Sequence, residues 1–193
     1  MERVCVFCGS LAGDDPVFLD AARALGRALA ARGLGLVYGG GSVGIMEALA
    51  VAALESGGEV TGVIPRALLD REVGLTSLKD LRVVESMHER KALMAELSDG
   101  FIALPGGIGT MEEFFEVWTW AQLGMHHKPI GLLNCAGYFD PLIAFMDAMV
   151  ARGFLRAPHR ELVLVEEEPE ALLSRFEAYR PPEVYVWIDP RST

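Results

Sequence analysis

Residues 101–124 read FIALPGGIGTMEEFFEVWTWAQLG. Four apolar residues, Phe101 to Leu104, run without interruption into a turn containing Pro105, Gly106, Gly107 and Gly109, and from Thr110 the spacing becomes helical. An unbroken apolar run is what a strand buried on both faces requires, and a glycine turn opening a helix makes a strand-to-helix junction. The same alternation extends outward along the chain. Apolar runs at residues 4–8, 35–38, 60–64, 81–84, 130–133 and 162–165 alternate with helical spacing at 16–32, 43–56, 87–97, 110–124, 138–152 and 169–179. The pattern predicts an α/β fold, a Rossmann-like, doubly wound parallel sheet of about seven strands with helices on both faces. Residues 67–80 are the longest irregular connection and are expected to form a substrate loop. The tail holds a candidate edge strand at 184–188.

The 193 residues suit a single domain over 1–193 with a sizeable core, and 51% of them are hydrophobic, which excludes a disordered chain. There are 17 Lys and Arg against 27 Asp and Glu, a formal net charge of −10. Such a chain, with no basic run, makes a poor partner for a nucleic-acid backbone. No uncharged stretch reaches the roughly 18 residues of a spanning helix, so no membrane partner is expected. An anionic small molecule would have to be held by a few placed cations and backbone N–H groups, against the overall field. Cys5 and Cys8 have C-x-x-C spacing, but on a strand they face opposite ways, and Cys135 is distant. Buried thiols in a reducing compartment are the simpler reading. The N-terminal apolar run is broken by Gly9 and leads into a turn and a helix, so the cytoplasm is expected.

In a doubly wound sheet the ligand crevice lies at the C-terminal strand ends. The second strand leads into Gly39-Gly40-Gly41-Ser42-Val43-Gly44, which formally matches G-x-G-x-x-G. It follows the wrong strand for a dinucleotide site, and Val63-Ile64-Pro65-Arg66 stands where an acid is expected. NAD is disfavoured, while Gly40 and Gly41 remain candidate ligand contacts. The fifth strand leads into the second glycine loop, which lacks the lysine of a Walker loop. Gly106, Gly107, Gly109 and the Thr110 hydroxyl could wrap a phosphate at a helix N-terminus. Glu113 has two readings. Thr110-x-x-Glu113 spells a capping box, and a carboxylate in the first helical turn, held ionised by the dipole, could instead face a ligand. Glu112 and Glu113 are about 100° apart on a helix, so at most one is expected to face inward.

Ser86-x-x-Glu89 spells another capping box and places Arg90 and Lys91 in an opening turn, where cations oppose the dipole. They are either a solvated pair neutralised by Glu89 or part of a site, with Arg90 the inward residue. His88, His126, His127 and His159 are not spaced to hold a metal. The helix carrying Phe114, Phe115, Val117, Trp118, Trp120 and Leu123 is apolar nearly all round, which suits a core or a homodimer interface.

Pro105-Gly106-Gly107-Ile108-Gly109-Thr110-Met111-Glu112-Glu113 reads PGGxGTxxE, and Met87-His88-Glu89-Arg90-Lys91 reads MHxRK. With the Cys8-Gly9-Ser10 and Gly39–Gly44 loops, these motifs resemble the LONELY GUY (LOG) family, whose members were often labelled lysine decarboxylases. The resemblance implies a phosphoribohydrolase that cleaves N6-substituted adenosine 5′-monophosphates to a cytokinin-type base and ribose 5-phosphate. It assigns Arg90 and Glu113 as the catalytic pair. It assigns nucleotide binding to Gly106, Gly107, Ile108, Gly109, Thr110, Met111, Glu112 and Glu113, with Lys91, Ser10, Gly40 and Gly41. Glu72, beside Arg71, and Thr119 also correspond to nucleotide contacts. It implies a nucleoside monophosphate as the small-molecule partner, a homodimer or larger assembly, and neither cofactor nor metal. The alternatives are a nucleotide sensor without turnover and a decarboxylase. The latter would need a Schiff-base lysine from among Lys79, Lys91 and Lys128.

Overall fold

The computed structural model describes residues 1–69 and 78–182. Within them β1 (Arg3–Phe7), β2 (Gly35–Tyr38), β3 (Val60–Pro65), β4 (Asp80–Val84), β5 (Gly100–Ala103), β6 (Ile130–Leu133) and β7 (Val163–Glu166) form one sheet. The strand order is β4-β3-β2-β1-β5-β6-β7, and every neighbouring pair is parallel. The helices are α1 (Pro16–Ala31), α2 (Gly44–Glu55), α3 (Arg66–Leu69), α4 (Met87–Glu96), α5 (Ile108–Leu123), α6 (Asp140–Ala151), α7 (Ala157–Arg160) and α8 (Pro169–Glu177). This is the doubly wound α/β arrangement that the alternating pattern predicts.

Each strand serves two cores because successive side chains point to opposite faces. Val4 and Val6 of β1 join Leu25 of α1, Leu49 of α2 and Leu172 of α8 in one core. Cys5 and Phe7 join Met94 of α4, Phe114 of α5 and Met146 of α6 in the other. The C-x-x-C thiols part accordingly: Cys5 belongs to the second core and Cys8 to the first. All three cysteines are buried and free.

The differences from the sequence pattern are local. The helix expected from Thr110 starts two residues earlier, because Gly107 takes the N-cap position. The helix expected at 138–152 starts at Asp140, after a 3-10 turn over Cys135–Gly137. Asn134 holds that turn: its Oδ1 accepts from Phe139 N at 2.7 Å and its Nδ2 donates to Asp140 Oδ1 at 2.8 Å. The start of the irregular 67–80 connection belongs to α3, and α7 is an extra turn with a proline near its start. Arg71, Glu72 and the edge strand expected at 184–188 lie outside the described residues.

His126 anchors the turn between α5 and β6. Its Nε2 bonds Val117 O at 2.9 Å, its Nδ1 accepts from Lys128 N at 3.2 Å, and its ring lies 5.2 Å from that of Phe101. Accepting at Nδ1 leaves Nε2–H to donate, so the bonded ring is neutral. Burial, chiefly, lowers its pKa to about 4. Below the unfolded pKa of about 6.5 the unfolded chain binds the extra proton and the folded one does not. Stability is therefore expected to fall by about 1–3 kcal/mol as pH drops from about 6.5 to about 4. Urea titrations across that range would measure it. His126→Gln, whose amide can copy both hydrogen bonds, is expected to flatten the slope, and an unchanged slope would exclude His126 as its source.

Candidate active site

After β1 the chain moves outward through β2, β3 and β4, then returns to place β5 on the other side of β1. The loop leaving β1 runs to α1 on one face and the loop leaving β5 runs to α5 on the other. Their divergence opens a crevice at the C-terminal strand ends. Backbone bonds hold its base closed: Leu104 N donates to Phe7 O at 2.9 Å and Gly9 N to Pro105 O at 3.0 Å. A Cβ at Gly106 would overlap the Thr110 side chain and Gly9 N, so this close approach requires glycine. Between the loops lies a cleft of about 260 Å³, lined by Cys8, Ser10, Arg90, Gly107, Thr110 and Glu113 among others.

One wall of the cleft is the N-terminus of α5. Gly107 caps it in an extended conformation (φ −89°, ψ −153°) and offers no side-chain acceptor. The N–H groups of Ile108, Gly109 and Thr110 therefore begin the helix without intrahelical partners, at the positive end of its dipole. All three residues line the cleft, and a Cβ at Gly107 or Gly109 would meet no atom within 4 Å. The geometry is that of an anion cradle. It also removes the capping box expected of Thr110 and Glu113. Thr110 sits inside the first turn and not before it, and Glu113 lies further along α5 with its side chain in the cleft.

Facing Glu113 is Arg90. The capping box at the start of α4 does form, with its return bond shifted by one residue. Ser86 Oγ accepts from Glu89 N at 3.1 Å, and Glu89 Oε2 accepts from Glu85 N at 2.8 Å. This sets the phase of α4 and turns Arg90 onto the strand ends. Its Nε donates to Val63 O of β3 at 3.0 Å and its Nη2 to Gly39 O, just beyond β2, at 2.9 Å. The remaining nitrogen, Nη1, lies 3.6 Å from Glu113 Oε1, and both side chains are about nine-tenths buried. A Cβ at Gly39 would overlap Arg90 Nη2, which makes the first glycine of its run a seat for the guanidinium. Burial raises the Glu113 pKa above its ordinary value; Arg90 lowers it, and the neighbouring Glu112 raises it again. Desolvation thus outweighs the attraction of Arg90.

Several predicted contacts lie elsewhere. Lys91 is about 100° from Arg90 around the helix. It is buried between Glu112 and Glu116, with Nζ bonded to the first and 3.0 Å from Oε1 of the second, and it clasps α4 to α5. Met111 packs against the second core, and Thr119 Oγ1 donates back to Phe115 O at 2.7 Å. None of Lys91, Met111, Glu112 and Thr119 lines the cleft, nor do Gly40 and Gly41. Gly40 instead fits, at φ +77°, against Ile64 and Leu81. The N-terminus of α2 serves the fold, since Met46 N donates to Gly9 O at 3.3 Å. Sequence reasoning missed Gly39, Met46 and Met94 as cleft residues. For Gly39 the signal was present, as a glycine directly after a strand.

Residues 46–176 match the family described as "Possible lysine decarboxylase". A rice (Oryza sativa subsp. japonica) protein named "Probable cytokinin riboside 5'-monophosphate phosphoribohydrolase LOGL1" is 52% identical over 177 residues, covering 92% of this chain and 79% of that protein. The chain belongs to the LOG family. Rice "Cytokinin riboside 5'-monophosphate phosphoribohydrolase LOG" is 48% identical, covering 93% of this chain and 74% of its own length. LOG5 of Arabidopsis thaliana is also 48% identical, covering 93% and 79%. The fold is shared more widely. The molybdenum cofactor carrier protein of Chlamydomonas reinhardtii superposes with a TM-score of 0.71 at 23% identity, over 92% of this chain and 99% of that one.

The site disfavours the chemistry in the family's older description. A Schiff-base decarboxylase needs a lysine amine at its cleft. In this LOG chain Lys91 is held by two carboxylates, and Lys128 Nζ donates to Ala95 O at 2.8 Å. Lys79 lies at the opposite end of the sheet, near Arg3 and Asp80 at the strand starts. Among the described residues no group of three His, Cys, Asp or Glu is arranged to hold a metal, and no helix is long and apolar enough to cross a membrane.

Proposed function

We propose that the protein hydrolyses the N-glycosidic bond of N6-substituted adenosine 5′-monophosphates, releasing the free base and ribose 5-phosphate. The observation that carries this reading is a buried carboxylate–guanidinium pair within the same small cleft as an open helix N-terminus. The 5′-phosphate docks on the N–H groups of Ile108, Gly109 and Thr110, with the Thr110 hydroxyl beside them. Binding energy gained at that remote group holds the ribose against the pair.

Cleavage passes through a ribose with oxocarbenium character at C1′. The electrons of the breaking C1′–N9 bond leave with the base, which takes up a proton from solvent, and water supplies the new C1′–O bond. Glu113 stabilises the developing positive charge and accepts the proton of that water. A carboxylate whose pKa burial has raised is a better base than an exposed one. Arg90 does not give up a proton at neutral pH. Anchored by two carbonyls, it positions Glu113 and hydrogen-bonds the nucleotide through Nη1. Ser10, which also lines the cleft, contacts the sugar or base in this reading. The free, buried thiols support a reducing compartment such as the cytoplasm.

We further propose that the working form is a homodimer or a larger assembly of this chain. Helix α6 packs Leu142, Ile143, Met146 and Met149 against the second core but leaves Phe145 outside it. Phe145 and Phe154 are 59% and 87% exposed, and together they edge an apolar hollow with Met149. An apolar surface of this kind needs cover. Light scattering at micromolar concentration is expected to give at least twice the chain mass, and Phe145→Glu combined with Phe154→Glu to reduce it. A monomeric wild type would refute the assembly.

Incubation with AMP and with N6-isopentenyl-AMP, followed by chromatography, is expected to show free base and ribose 5-phosphate. Glu113→Gln should lower kcat by about 10²–10⁴-fold while nucleotide binding persists. Nucleotide binding without base release by the wild type would make the protein a sensor, and full activity in Glu113→Gln would remove the carboxylate from the mechanism.

A further inference from the structure

Three carboxylates crowd the first half of α5. Glu112 and Glu116 are an i,i+4 pair, and Glu113 stands one residue from the first and three from the second. At the i,i+3 and i,i+4 spacings like charges repel. Two cations of α4 answer them, each in a different place. Arg90 faces Glu113 in the cleft, while Lys91 Nζ is bonded to Glu112 and lies 3.0 Å from Glu116 Oε1.

The Lys91 contact is largely closed to solvent. Lys91 is 8% exposed, and Glu116 Oε2 is buried with no hydrogen-bond donor among the described residues. A buried carboxylate oxygen without a donor leaves the Glu116 charge dependent on the ammonium beside it. Burial pulls the Lys91 pKa down, but its bonds to Glu112 and Glu116 outweigh that and raise it. The ammonium therefore stays charged throughout the range in which a glutamate titrates. Cys8, which shares the cleft with Glu113, and Cys5 of β1 are thiols whose pKa burial raises, so neither is charged at neutral pH. Among the described residues, the charges around Glu113 are thus Arg90 and Lys91 from α4 and Glu112 and Glu116 from its own helix.

We propose that Lys91 is a positioning residue for the hydrolysis: by neutralising Glu112 and Glu116, it leaves Glu113 to pair with Arg90 and to act as a base. The inference rests on the phosphoribohydrolase reading and deepens it. It gives Lys91 a different role from the nucleotide contact that the family resemblance implies. Without the ammonium, Glu112 and Glu116 set two uncompensated negative charges beside Glu113, which then holds a proton more tightly and is lost as a base at mildly acid pH. Without Glu112, one of those charges is gone and Glu113 gives up its proton more readily.

The test is the acid limb of kcat/KM for N6-isopentenyl-AMP in Glu112→Gln, in Lys91→Met and in the double variant. Glu112→Gln changes a half-exposed side chain and keeps the Lys91–Glu116 contact, so it reads the effect even where Lys91→Met fails to fold. Its limb is expected at lower pH than in the wild type. The limb of Lys91→Met is expected at higher pH, with kcat/KM on the limb lowered about 3- to 10-fold, as removal of one screened charge would do. Adding Glu112→Gln to Lys91→Met should bring the limb back toward its wild-type position. The carboxyl 13C resonance of Glu113, assigned by its absence from Glu113→Gln, makes the same comparison without turnover. Its titration midpoint should move down in Glu112→Gln and up in Lys91→Met.

A limb and midpoint that stay in place, with only a lower plateau or melting temperature, would make Lys91 a fastener of two helices and overturn the proposal while the hydrolase reading stands. A raised KM in Lys91→Met that Glu112→Gln does not restore would make Lys91 a nucleotide ligand, with the same consequence. No release of base by the wild type would overturn the hydrolase reading, and with it the role given to Lys91.

Discussion

The cleft depends on one guanidinium hydrogen-bonded across the ends of two parallel strands. Arg90 takes the carbonyls of Val63 and Gly39 with two of its nitrogens and presents the third to Glu113. Those carbonyls lie at the C-terminal edge of a parallel sheet, where strand carbonyls run out of ladder partners, and a cation is a natural way to satisfy them. The cost of burying the charge explains the rest of the local sequence. Ser86 must cap α4 to set its phase, residue 39 must lack a side chain, and a carboxylate must stand opposite. Glu113 supplies that charge, and its own burial raises its affinity for a proton.

This arrangement reconciles an acidic chain with an anionic ligand. A formal charge of −10 repels a phosphate at long range, but screening confines that repulsion to about 10 Å at moderate salt. Inside the cleft the nearest groups are helix-terminal N–H donors and a buried arginine. Lys91, which looks from its position like a second ligand cation, is neutralised by Glu112 and Glu116. It fixes α4 against α5, the two helices that carry the pair, and so bears on the site through geometry.

Much of the fold was legible because burial on both faces leaves a coarse mark. Apolar runs such as Phe101 to Leu104 can be recognised without knowing their neighbours, and the strand-loop-helix order then dictates where a crevice opens. Side-chain direction was less legible, since it depends on absolute helix phase. Placing the start of α5 at Thr110 instead of Ile108 turns the reading of that helix by about 200°. That error made a capping box of Thr110 and Glu113. The MHxRK motif carried a similar trap: one step from Arg90 to Lys91 separates the cleft from the α4–α5 clasp. The roles of Gly39 and Gly106 are set by what comes close in space, Arg90 in one case and Gly9 with Thr110 in the other. A glycine directly after a strand marks Gly39 as a place of close approach, but no local pattern names the group that approaches.

The dependence of kcat/KM on pH for release of base from N6-isopentenyl-AMP tests the role of the buried pair most directly. If Glu113 must be ionised to act, activity should fall about tenfold per unit on an acid limb that lies above the ordinary glutamate value of about 4.3. That limb should be absent from the residual activity of Glu113→Gln. A profile that stays flat down to about pH 4.3, or a limb that persists in Glu113→Gln, would contradict the assignment.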